Sequence, residues 1–216
     1  MKTIKFYCSF MLICLIFCNF TVKTEILTDS LYHTSMDKAL IQLDSVKNVS
    51  DLFQCRNLFE RIAQKYTDNW QPVYYTAYCD IEMVYYDQKS EQNKGRLEDA
   101  KIYLEKLASY SEADKSEIST LWGYYYNALI LLDPEVNGQK YFGEVIGAYE
   151  KAMEQNPENP RPVVLLTFFE QYLPPFIKSK RDPARERERA KDLFDRQTRT
   201  IENPYWGKYF LQQITK

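Results

Sequence analysis

This 216-residue chain has one histidine, six glycines and no strong excess of either charge. Each shortage removes a class of function. A Ser–His or Cys–His nucleophile system would have to use His33, and nothing in the sequence places a nucleophile beside it. The glycines are scattered, and Gly138, Gly143 and Gly147 follow no phosphate-cradling spacing. Net charge is −2, with acidic and basic residues mixed along the chain. Neutralising phosphates needs a coherent basic face, so nucleic acid is not an expected partner. Of five cysteines, Cys8, Cys14 and Cys18 fall in the N-terminal stretch, leaving Cys55 and Cys79 in the body of the chain. That is neither a disulfide framework nor a metal cluster, and no cofactor site is read. Asp80 and Glu82 stand two residues apart, and such residues do not face each other on a helix. With no visible acid–base centre, the chain reads as a binding protein without catalytic residues.

Long apolar runs are scarce as well. The one uncharged stretch, Phe6 to Phe17, follows Lys2 and Lys5 and precedes polar Thr21 to Glu25. A basic start, an apolar core and a polar exit describe a secretory signal over residues 1–23. The run falls short of the ~20 residues that span a bilayer. Cys18 stands where a lipoprotein carries its lipid, although Phe17 occupies a position that normally demands a small residue. Membrane contact is therefore expected only if this segment stays uncleaved or Cys18 is lipidated. Residues 24–216 are expected to be exported, to the periplasm or cell envelope.

What the chain does have is a repeat. Leu58-Phe59-Glu60-Arg61 becomes Tyr103-Leu104-Glu105-Lys106 after 45 residues, then Ala148-Tyr149-Glu150-Lys151, then Leu193-Phe194-Asp195-Arg196. Cys55, Ala100, Val145 and Ala190 keep the same step and are all compact, while Asn48, Asn93, Gly138 and Pro183 are all turn formers. Each unit reads as two helices. Tyr74, Ala77, Tyr78, Ile81, Val84 and Tyr85 recur at the spacing of one helical face, and Leu97, Ala100, Leu104 and Leu107 form the next stripe. The units run approximately 28–67, 70–112, 115–157 and 161–201, and residues 204–214 form a terminal helical cap over the last unit. The whole of 24–216 is then a single all-α repeat domain of about four antiparallel helix pairs.

Gly147 to Pro157 resembles the second helix and closing turn of the tetratricopeptide repeat. Tyr149 matches its second-helix aromatic, Ala152 the small residue where three helices meet, Pro157 the terminating proline, and Gly123 the small residue of the first helix. The resemblance implies a right-handed α-solenoid. These units are longer than the family's ~34 residues, and Thr67, Glu112 and Glu202 stand where the closing proline would recur. Armadillo or HEAT-like pairs, with a similar period, are the alternative fold.

In a helix-pair solenoid the first helices line the concave surface, where such proteins usually bind. Here they are crowded with rings: Tyr74, Tyr75, Tyr78, Tyr85 and Tyr86, then Trp122 and Tyr124 to Tyr126, then Phe168, Phe169 and Tyr172. About two-thirds of these are expected between helices, as core. Tyr75, Tyr86 and Tyr124 lie off the core stripe and, with Trp122, are the candidate partner-binding residues. The leading expectation is a non-enzymatic protein or peptide binder; a small-molecule or glycan binder, with a closed pocket near Trp122 and Tyr126, is the alternative. The run Arg185-Glu186-Arg187-Glu188-Arg189 reads as a solvated helical face. Cys55 and Cys79 fall at similar heights of an antiparallel pair, so either a disulfide in an oxidising compartment or two separate buried thiols is open to them.

Overall fold

A computed structural model describes residues 29–174 and 177–214 of the chain. The signal segment and Cys18 lie outside the described residues. Within them are eight α-helices and no strand: α1 over 29–44, α2 Val49–Lys65, α3 Gln71–Tyr86, α4 Asn93–Leu107, α5 Lys115–Leu132, α6 Pro134–Gln155, α7 Pro160–Glu170 and α8 Pro183–Arg196. A short 3-10 helix, Lys208–Gln212, follows. No helix among the described residues is long and apolar enough to cross a membrane.

The helices start where local chemistry tells them to. The side chains of Asn48, Asp114, Asp133, Asn159 and Asp182 accept hydrogen bonds from backbone N–H groups of the first turns of α2, α5, α6, α7 and α8. Such N–H groups are among the four donors that every helix N-terminus leaves unsatisfied. Proline stands in the first turn of α3, α6, α7 and α8, where its missing N–H costs nothing.

Packing follows the period. Cys55, Ala100, Val145 and Ala190 are all 0% exposed, and Phe59, Leu104, Tyr149 and Phe194 one turn later are buried with them. Consecutive helices pack on one another, from α2 on α3 through to α7 on α8. The first helix adds Tyr32, Met36, Ala39 and Leu40 to the same core. Gly123 on α5 permits one of the closest approaches, since a Cβ there would stand 2.6 Å from Cε1 of Tyr149 on α6. The small residue and the aromatic are complementary halves of one contact.

One feature departs from an open solenoid. Every residue of α3 from Pro72 to Val84 is buried, which neighbouring α2, α4 and α5 do not achieve alone. The remaining cover comes from residues 201–214, among which Ile201, Trp206, Phe210, Leu211 and Ile214 are buried. Trp206 sits against Tyr78 and Tyr124, with ring centroids 4.6 and 5.3 Å away. The C-terminal segment, expected to cap only the last unit, runs back along the face of α7, α5 and α3 and fills much of it. It turns at Gly207, whose φ of 91° is the left-handed conformation that glycine adopts without penalty.

Candidate ligand groove

At the start of α3, α5 and α7 the C-terminal segment is tied down by polar contacts. Trp206 Nε1 donates to Tyr74 Oη at 2.8 Å, and that hydroxyl donates to Glu117 Oε2 at 2.9 Å. Arg161 forms a forked ion pair with Glu117, its Nε 3.0 and 2.9 Å from the two carboxylate oxygens, and both side chains are 2% exposed. Asn159 Nδ2 donates to the same carboxylate at 2.7 Å. Arg161 Nη1 also reaches Gln197 at 3.2 Å. A buried charge pair is tolerated only when its remaining donors and acceptors are met in this way.

Toward the other end of the same three helices a groove opens, with the segment forming one of its walls. Its volume is about 590 Å³, within the range of sites for small organic ligands. Tyr85 and Tyr86 come from α3, Asn127, Ile130 and Leu131 from α5, Phe168 and Phe169 from α7, Tyr172 from the turn after it, and Tyr209, Phe210 and Gln213 from the C-terminal segment. Half of the lining residues are aromatic. Tyr85 stacks on Tyr124 at 4.3 Å, nearly parallel, and Phe168 packs on Phe210 at 5.1 Å, so the groove rests on rings held by other rings. Tyr172, 72% exposed, stands at the mouth, with Tyr86 and Tyr209 partly exposed.

Among the described lining residues Glu82 is the ionisable carboxylate, and none is lysine, arginine, histidine, cysteine or methionine. It is 5% exposed. Its Oε2 accepts from Tyr124 at 2.5 Å and its Oε1 from Tyr209 at 3.1 Å. Burial pushes its pKa up, against the pull of the two phenols. Two residues earlier Asp80 turns the other way and pairs with Arg56 of α2, Nε to Oδ1 at 3.2 Å. Burial lifts Asp80 to about 7, although Arg56 opposes it. The two carboxylates therefore do not cooperate, in keeping with their spacing.

The structure separates the four candidate binding residues. Tyr86 lines the groove. Tyr75 and Tyr124, expected at the surface, are 1% and 0% exposed; the C-terminal segment covers both. Tyr75 stacks on Phe59 at 4.9 Å, and its hydroxyl accepts from the Tyr205 N–H at 3.1 Å. Trp122 is half-buried beside a different cavity of about 330 Å³, with Tyr126, Glu144 and Lys151. Cys55 and Cys79 are free buried thiols, so the bridge left open by their spacing is not formed. Burial pushes the Cys55 thiol up to about 11 and holds the Cys79 thiol well above its ordinary range. His33 lies at the surface, 3.4 Å from Asp29.

Sequence reasoning missed Glu82, Tyr209 and Phe210 as site residues. The available signal was Tyr205-Trp206-Gly207-Lys208-Tyr209-Phe210, which is too aromatic for a cap that faces water on one side.

Fold and groove together define an all-α protein of consecutive helix hairpins with one end of its inner face lined by rings. No protein-family model matches the chain, and no curated protein matches it. Among solved structures it is similar to the HusA haemophore from Porphyromonas gingivalis, with 28% identity, a TM-score of 0.74, and coverage of 85% of this chain and 90% of that one.

Proposed function

We propose that this is an exported, tetratricopeptide-like carrier protein whose aromatic groove holds haem or a related planar macrocycle. The observation that carries the reading is the ring-lined groove of about 590 Å³ between α3, α5, α7 and the C-terminal segment. The likeness to a haemophore supports it, as does the signal-like segment at residues 1–23. An extended peptide along the first helices would have to displace Tyr205 to Phe210, which favours a compact ligand over the peptide expected from the concave face alone.

The chemistry of the lining says how such a ligand is held. Each 100 Å² of apolar surface removed from water is worth ~2.5 kcal/mol, and favourable ring–ring geometry adds about 0.5–1.5 kcal/mol. Among the described residues the lining presents phenols and one carboxylate to a bound metal, and neither imidazole nor thioether. Contact with the macrocycle, rather than a bond to iron, is then the main source of affinity. Ligand carboxylates would point out of the mouth, where Lys178 is held by its 3.3 Å bond to the carbonyl of Gln171, next to Tyr172. The test is titration of residues 24–216 with haemin and with iron-free protoporphyrin IX, followed by Soret absorbance. Both should bind, with affinities within about tenfold of each other. A folded protein that binds neither would overturn the reading.

A further inference from the structure

A second cavity, of about 220 Å³, lies on the far side of the groove's rim. Leu43 and Asp44 of α1, Val46 just after it, Leu52 of α2, Tyr78 of α3 and the segment from Tyr205 to Gly207 line it. Glu82, Tyr86 and Tyr209 belong to both cavities. Glu82 and Tyr86 are one turn apart on α3, whereas Tyr209 reaches them from the C-terminal segment.

We propose that Tyr209 is the partition between two chambers of one concave groove, and therefore the residue that sets how long a ligand the protein accepts. The proposal rests on the reading of the groove as a site for planar apolar ligands. Three observations carry it. The two cavities share their wall. The wall on the C-terminal side is a single ring, 41% exposed and stacked on Phe210 at 4.3 Å. Its hydroxyl is moored by a 3.1 Å bond to Glu82, whose other oxygen is already held by Tyr124. Rotation of this one side chain would join the chambers without moving any helix. The fitting ligand is then a planar aromatic with a second, smaller lobe, one lobe in each chamber.

The test compares 8-anilinonaphthalene-1-sulfonate with its covalent dimer, two dyes of the same chemistry and different length. Tyr209→Ala should raise the ratio of dimer to single-dye affinity about tenfold, whatever the single dye loses with one lining ring, because a second ring then finds stacking partners. Tyr209→Phe keeps the ring and removes the mooring bond, and should raise the dimer about threefold. Near-UV circular dichroism checks packing, and if the alanine variant fails to fold, the phenylalanine variant decides. An unchanged dimer-to-monomer ratio in the folded variants would overturn the partition. Protoporphyrin IX titrated into the unaltered protein keeps the two ideas apart. Porphyrin binding with an unchanged dye ratio sinks the partition alone; a shifted ratio without porphyrin binding upholds the partition and sinks the macrocycle reading.

Discussion

The starts and the ends of α3, α5 and α7 meet the same C-terminal segment on opposite terms. At the starts, Trp206 donates to Tyr74, which is itself held by Glu117, and Arg161 pairs with that carboxylate. At the ends, Tyr86, Phe168 and Tyr172 offer apolar area with few polar obligations, and a groove remains. A solenoid face can thus be divided by its own tail. Bonds to Tyr74 and Tyr75 hold the tail at one end, and the bond from Tyr209 to Glu82 moors it beside the groove at the other.

The sharpest way to break this comparison is Arg161→Ala, which leaves Glu117 buried without its partner. It should cost about 3–5 kcal/mol in urea unfolding. A loss under about 1 kcal/mol would show that the starts of the helices are not what holds the tail.

Asp80 offers a contrast within α3, because Arg56 meets it with fewer supporting donors than Glu117 enjoys. Its folded pKa, about 7, lies above the 3.8 of an ordinary aspartate. The folded protein therefore keeps a proton that the unfolded chain has released between those values. The stability contributed is full below about pH 4 and is lost as pH rises through 7. Comparing pH 5 with pH 8, the wild type should lose on the order of 2–4 kcal/mol that Asp80→Asn does not lose.

Gly123→Ala probes the contact between α5 and α6 midway along the face. A methyl 2.6 Å from the Tyr149 ring must displace it, at about 1–3 kcal/mol, read as a lowered melting temperature. At the open end the expected stability change is smallest. Tyr172→Ala, at 72% exposure, should stay within about 0.5 kcal/mol in unfolding, yet weaken protoporphyrin binding about threefold to tenfold. Equal effects on folding and binding would erase the distinction between the two ends.

Much of the fold was legible because helical repeats write their core positions locally. Cys55, Ala100, Val145 and Ala190 recur at one step and are all buried. The closing of the inner face was not, because the bonds of Tyr205, Trp206 and Tyr209 to α3 span 127–132 residues and belong to no period. Tyr75 and Tyr124 look outward on an isolated hairpin and are covered only when the tail arrives. For the groove, the rings of α3 and α7 were visible as clusters. Their convergence with Tyr209 and Phe210 was not, since it depends on where the left-handed turn at Gly207 aims the segment.

The position of that segment also sets a schedule for synthesis. Residues 201–214 leave the ribosome after every helix they touch, so until then the inner rings of α3 and α5 face solvent or a chaperone. Helix hairpins close early because their contacts are local, whereas the tail must wait for partners more than a hundred residues behind it. Such a late keystone delays tight folding of the inner face until residues 201–214 have emerged, which would suit a chain exported as proposed above.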